Sequence, residues 1–174
     1  RHNVNLVNAT LIQQATSGGH AIRIRGGADY TIANSVIVSP VPCLRFDDAL
    51  TISGPNAALD KLGPPRFESV VMTCSTPFRS GGGGVTEANV ASAFNAGSNN
   101  NANFTSTLTN LFINGTNENA VPVFNPTVLS SFFDAAPYIG AVRNSSDTWY
   151  AGWTCNSSYA NFNGNGSCTS LPVY

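Results

Sequence analysis

A short motif recurs three times in the first eighty residues and restricts this chain to few architectures. "NATLI" (Asn8–Ile12), "NSVIV" (Asn34–Val38) and "ESVVM" (Glu68–Met72) each give a polar residue, a small residue and a β-prone apolar run. Downstream of each lies an apolar residue followed by arginine: Ile22-Arg23, Leu44-Arg45 and Phe78-Arg79. Asn34 to Leu44 and Glu68 to Phe78 are the same step of ten residues. The first block needs four more, which "ATSGG" (15–19) supplies as a turn insertion. The long insertion before the third block, "TISGPNAALDKLGPP", has the Gly and Pro residues of a loop.

Short strands returning every 20–35 residues, with turns between, are the signature of coils that cannot bury their inner faces alone and therefore stack. Alternation agrees: in "HAIRIRGG", Ile22 and Ile24 fall on one side and Arg23 and Arg25 on the other. The expected fold is mainly β, a short right-handed parallel β-helix or solenoid over residues 1–80. A C-terminal, helix-containing aromatic cap over residues 81–174 packs on it, the whole forming one domain. The alternative is an antiparallel β-sandwich with unequal loops.

After Arg79 the character of the sequence changes. "SGGGG" is expected to be a flexible joint. "TEANVASAF" predicts a short helix with Thr86 as N-cap, Val90, Ala93 and Phe94 inward and Gly97 as its stop. "GSNNNANFTST" is a polar loop, and "LTNLFING" is a strand or short helix. Asn125 and Pro126 are placed as a helix N-terminus, with the helix ending near Pro137.

Composition then narrows the setting. Charged residues are 10% of the 174, against roughly 25% in an ordinary soluble domain. The net charge of −1 offers no general attraction for nucleic acid or anionic membranes. Asn, Ser, Thr and Gly supply the polar surface, while 42% hydrophobic residues argue against disorder. No apolar run of about 20 residues is present, so membrane insertion is not expected. The chain opens in mid-pattern without an initiator Met or a signal peptide, as a mature or trimmed product, or part of something longer, would. Cys43, Cys74, Cys155 and Cys168 allow three pairings. They form no CxxC, and only His2 and His20 could join them, so disulfides in an oxidising compartment are expected in place of zinc. The favoured pairing is Cys43–Cys74 and Cys155–Cys168.

If the coils stack, Arg23, Arg45 and Arg79 form a ladder at about 4.8 Å per step on an outer face. Like charges so close repel unless neutralised. Asp47, opposite Arg25 in this register, with Asp48 and Glu68 nearby, could neutralise them internally. Otherwise the ladder is a groove for an acidic polysaccharide or a partner's carboxylates. Catalysis is not expected: "FDD" is the only adjacent acidic pair, no G-x-S-x-G elbow occurs, and "GGGG" lacks the Lys-Ser/Thr of a phosphate loop. No cofactor is implied. N-x-S/T sequons at Asn8, Asn103, Asn114, Asn144, Asn156 and Asn165 are a weak signal in so Asn-rich a chain.

Both tryptophans lie in "YIGAVRNSSDTWYAGWTC". Tyr138, Trp149, Tyr150 and Trp153 are either a sugar-stacking platform or the buried aromatics of a lid over an open coil. With the preceding "FFDAAP", this stretch resembles a C-terminal segment of secreted or surface-exposed bacterial proteins, several with predicted β-helical regions. The matching positions are Tyr138, Ile139, Gly140, Ala141, Asp147, Trp149, Gly152 and Trp153. The resemblance implies an extracellular structural or surface role and brings no catalytic residues with it. The expected function is therefore a non-enzymatic, self-associating structural protein of a bacterial surface, matrix or filament. A carbohydrate-binding or adhesive module is the alternative, and a polysaccharide-degrading enzyme the third reading.

Overall fold

The computed structural model describes residues 3–14, 16, 18–152, 154–162 and 166–168. Its strands form two sheets, and every pairing between them is parallel. In the larger sheet β4 (Thr31–Ser39) is central. β1 (Asn5–Val7) and β2 (Thr10–Ile12) lie end to end along one side of it, and β6 (Arg66–Cys74) lies along the other. The smaller sheet has the order β3 (Ile22–Ile24), β5 (Leu44–Phe46), β7 (Phe78–Ser80). The chain thus visits the large sheet, then the small one, three times in succession, and residues an equal step along each pass stand side by side. This is a mainly β, parallel architecture and not the antiparallel sandwich.

The repeat has a conformational cause. Asn8 interrupts β1 and β2 with φ 54°, and the register sets it beside Asn34 (φ 47°), which stands beside Ser69 (φ 54°). Three adjacent strands therefore bend at one left-handed residue each, a conformation Asn tolerates better than most side chains. The third corner is Ser69, one residue beyond Glu68, which the motif alignment matches with Asn8 and Asn34. Glu68 stands beside Ala33, and its carboxylate accepts from Arg66 and from the Ser98 N–H. Residues 98–104 form a further strip along β6 instead of a free loop. Ser69 N–H donates to Ser98 O (2.8 Å), Asn101 N–H to Val70 O (3.0 Å) and Met72 N–H to Asn101 O (2.8 Å). The bridge between Val71 and Asn101 brings Asn99, φ 56°, beside Ser69 as a fourth corner.

Between the sheets lies the main core: Ile32, Ile37, Phe67 and Met72 from one side, Ile24, Leu44 and Phe46 from the other. Helix α2 (Glu87–Asn95) closes it beside β6 and β7. As the sequence predicts, Thr86 caps α2, here in a reciprocal box with Asn89, and Val90 and Phe94 are buried. The Phe94 ring packs 5.4 Å from Phe67 and 5.5 Å from Phe78. Gly97 then passes so close to Phe67 O that no Cβ would fit.

A second apolar layer covers the opposite face of the large sheet. Val36 and Val71 pack there with Ile139, flanked by Phe104, Leu108 and Val121. With both faces covered, β4 reads as an almost unbroken buried run. The layer is held largely by Asn side chains bonded to distant backbone. Asn34 exchanges two hydrogen bonds with Phe124 (both 2.8 Å), and Asn8 Nδ2 donates to Tyr138 O (2.7 Å).

Several local expectations change. The "SGGGG" stretch is fixed: Gly82, Gly83 and Gly84 hold φ of 82°, 63° and 89°. Their turn accepts the N–H groups of Asp48 and Ala49, which begin the short helix α1 (Ala49–Ile52). "LTNLFING" is a tight turn closed between Thr109 and Ile113, followed by the one-turn helix α3 (Thr116–Asn119). After Asn125 only a 3-10 turn, Pro126–Val128, forms, because the sequence beyond it packs no continuous apolar face and Phe132 stays 85% exposed. The chain's single lysine, Lys61, is 2% exposed. Its Nζ donates to the carbonyls of Gly63 (2.5 Å), Gly27 (3.3 Å) and Thr51 (3.4 Å), pinning the long insertion to the turn after β3. Cys43–Cys74 and Cys155–Cys168 are both bonded. No helix among the described residues is long and apolar enough to cross a membrane.

Candidate functional site

The arginine ladder forms as the repeat requires. Arg23, Arg45 and Arg79 are in register across β3, β5 and β7, while Ile22, Leu44 and Phe78 beside them pack on the core. Asp47 lies between two of them. Its Oδ2 accepts from Arg23 Nε (2.6 Å) and Nη2, and its Oδ1 from Arg45 Nε (2.5 Å). It thus serves Arg23 and Arg45, not Arg25. Burial pushes the Asp47 carboxyl up, but the hydrogen bonds from Arg45 and Arg23 outweigh it and hold the group below its usual range. Arg79 pairs with Glu87 at 3.5 Å across exposed surface. Two carboxylates therefore answer three guanidinium groups, which leaves a net single positive charge on the ladder. His20 sits beside it. Burial, then Arg45 and Arg23, push its pKa down. Gly81, in register with Asp47, and Glu87, on a helix, are partners that alternation alone does not reveal.

The two ends of the strand stack differ. Beside β6 and β7 lie the 98–104 strip and α2. At the other end, the outer edges of β1, β2 and β3 have no strand partner among the described residues. Residues 3–14 contain no charged residue and no proline. Val4 is 45% and Leu6 38% exposed, and Leu11 and Ile22, which pack on the core, are only partly buried. Native sheet edges are ordinarily guarded by charges, prolines or bulges. Along β1 and β2 this edge has only the Asn8 corner, whereas β3 carries Arg23.

Of the four aromatics of the C-terminal segment, the three among the described residues are placed differently. Tyr138 is half-buried, and its hydroxyl donates to Asp147 (3.4 Å), whose carboxylate also accepts the Arg143 N–H. Tyr150 is buried with Ile113 and Val142, edge-on to Phe112 at 5.2 Å and to Phe162 at 5.8 Å. Trp149 is 60% exposed, yet its Nε1–H is tied to Ala141 O at 2.8 Å. Trp153 lies outside the described residues. Between Trp149, Tyr159 and the outward side of β2 runs an open cleft of about 360 Å³, floored by Tyr150, Val142 and Ile12. Sequence reasoning missed Tyr159 and the β2 wall, because nothing in their spacing links them to Trp149.

No group of three or more metal-ligating side chains occurs among the described residues. No protein-family model, curated protein or solved structure matches the chain.

Proposed function

We propose that this chain is a non-enzymatic structural module of an extracellular or bacterial-surface assembly. In this reading the two sheets are opposite walls of a short right-handed parallel β-solenoid, with residues 81–174 packed on it as its cap. The module self-associates through the edge of β1, β2 and β3. One observation carries the reading: an uncharged, partly apolar edge along β1 and β2, at one end of a stack whose other end is covered. Two disulfides and a 10% charge content support the extracellular setting.

The covered end also favours one symmetry. Head-to-tail stacking into a filament needs a receptive surface at both ends, and α2 with the 98–104 strip occupies one of them. An edge meeting its own copy about a two-fold axis closes after two chains. The expected unit is a pair, which a larger matrix could then repeat through other surfaces.

Sedimentation velocity over the micromolar range tests this. The parent should approach twice the 18.2 kDa chain mass, and Asn5→Lys/Leu6→Lys, which places two charges on the edge, should remain monomeric while melting cooperatively. A parent that stays monomeric at every concentration overturns the proposal.

A further inference from the structure

We infer that the cleft beside Trp149 is a binding site for a neutral saccharide, held by stacking on Trp149 and Tyr159. The inference is independent of self-association through the strand edge.

The walls specify the ligand class. Among the described residues no charged side chain lines the cleft, so the walls offer an anionic or cationic ligand no counter-charge. The floor is an interlocked aromatic and aliphatic cluster, already packed without a ligand. On the rim stand two large aromatic side chains, Trp149 at 60% and Tyr159 at 66% exposure. The Trp149 N–H is already bonded to Ala141 O, which fixes the indole and leaves its face as the recognition surface. Thr10 accepts the Ala141 N–H with its hydroxyl oxygen (2.9 Å) and still carries an O–H to donate, and Gln14 adds an exposed amide at the same margin.

A fixed aromatic face with hydroxyl and amide groups at its border suits a pyranose ring. The apolar C–H face of the ring covers the aromatic while its hydroxyls reach the border groups and water. An acyl chain fits less well, because an open cleft would leave one side of the chain in water and return little of the apolar burial that drives its binding.

Affinity electrophoresis of the whole chain, in native gels containing hydroxyethylcellulose, laminarin, galactomannan or amylose, tests the inference. Polygalacturonate gels and a lauric acid titration are the contrasts. At least one neutral glycan should retard the parent. Trp149→Ala should weaken that retardation at least about tenfold, Tyr159→Ala should weaken it too, and Trp149→Phe, which keeps a flat face, should retain part of it. Both rim side chains are mostly exposed, so each variant should melt like the parent. Retardation unchanged in Trp149→Ala and Tyr159→Ala, no retardation by any of the four neutral glycans, or binding confined to polygalacturonate or lauric acid would each overturn it.

Discussion

Gly81 lies directly beneath the carboxylate of Asp47, and a Cβ at residue 81 would overlap it. The glycine is there for room: it lets one carboxylate settle between Arg23 and Arg45.

Gly81→Ala should therefore expel Asp47 and leave two stacked guanidinium groups without their shared partner. The expected cost is about 1–3 kcal/mol in a urea melt, the range for breaking a charged hydrogen-bonded group. Asp47→Asn, which keeps the shape but not the charge, should lie between the parent and Gly81→Ala. An alanine variant as stable as the parent would show that the Asp47 bridge contributes nothing.

Falling pH should destabilise the chain in two ranges, both with the same sign. Glu118 is fully buried. Burial raises its pKa, but the hydroxyl and N–H of Thr107 and the Ser106 hydroxyl outweigh this and lower it, as the arginines do for Asp47. A carboxyl lowered in the folded state takes its proton later than in the unfolded chain. Its stabilisation is therefore present above its ordinary value near 4.5 and is lost as pH falls below it. His20, also lowered, begins a smaller loss as pH falls through about 6.5. Melting temperature against pH should decline in both ranges, with His20→Gln flattening the upper and Glu118→Gln the lower. A flat profile from pH 8 to 3 would refute the assignment. Glu118→Gln should itself cost about 1–3 kcal/mol, since an amide NH₂ cannot accept what the carboxylate accepts.

The disulfides should open in a fixed order. Cys43 is fully buried in the core, with Cys74 partly buried against it, whereas Cys155 and Cys168 are both only partly buried. Mild reductant followed by alkylation and mass spectrometry should label Cys155 and Cys168 first. Removing Cys43–Cys74, which closes a 31-residue separation, should cost about 3–4 kcal/mol by loop entropy, against about 3 for the 13-residue separation of Cys155–Cys168. Four alkylatable thiols in native protein would overturn both the bonding and the compartment it implies.

What the sequence reveals follows what stacking repeats. Ile22-Arg23, Leu44-Arg45 and Phe78-Arg79 stand in register because each pass needs one side chain in the core and the next in water. The Asn8 and Asn34 corners are legible because Asn is a residue that left-handed backbone selects. Ser69 is not, since serine carries no such preference, and the more polar Glu68 beside it draws the alignment one residue out. The strip at residues 98–104 hides for another reason: the Asn100 side chain takes part of the ladder, accepting the Val70 N–H and donating to Phe67 O, and the strip carries no β-prone apolar run. The layer that buries Val36 and Val71 is the least visible. Phe104, Leu108, Val121 and Ile139 share no period, and the segments that carry Phe124 and Tyr138 past them are tied down by Asn34 and Asn8, far away in the chain.

The burial of Lys61 reaches into how any assembly of this protein can be detected. It is the chain's only side-chain amine, and it is enclosed by three carbonyl oxygens. Amine-directed cross-linkers would find no lysine at a contact between copies and would act only through a terminal amine, so gels run after such treatment would under-report association. Zero-length coupling is no substitute, because it joins carboxyls to amines. Tyrosine- or carboxylate-directed reagents, with Tyr159 and Glu87 exposed to receive them, are the chemistry by which a partner would be caught.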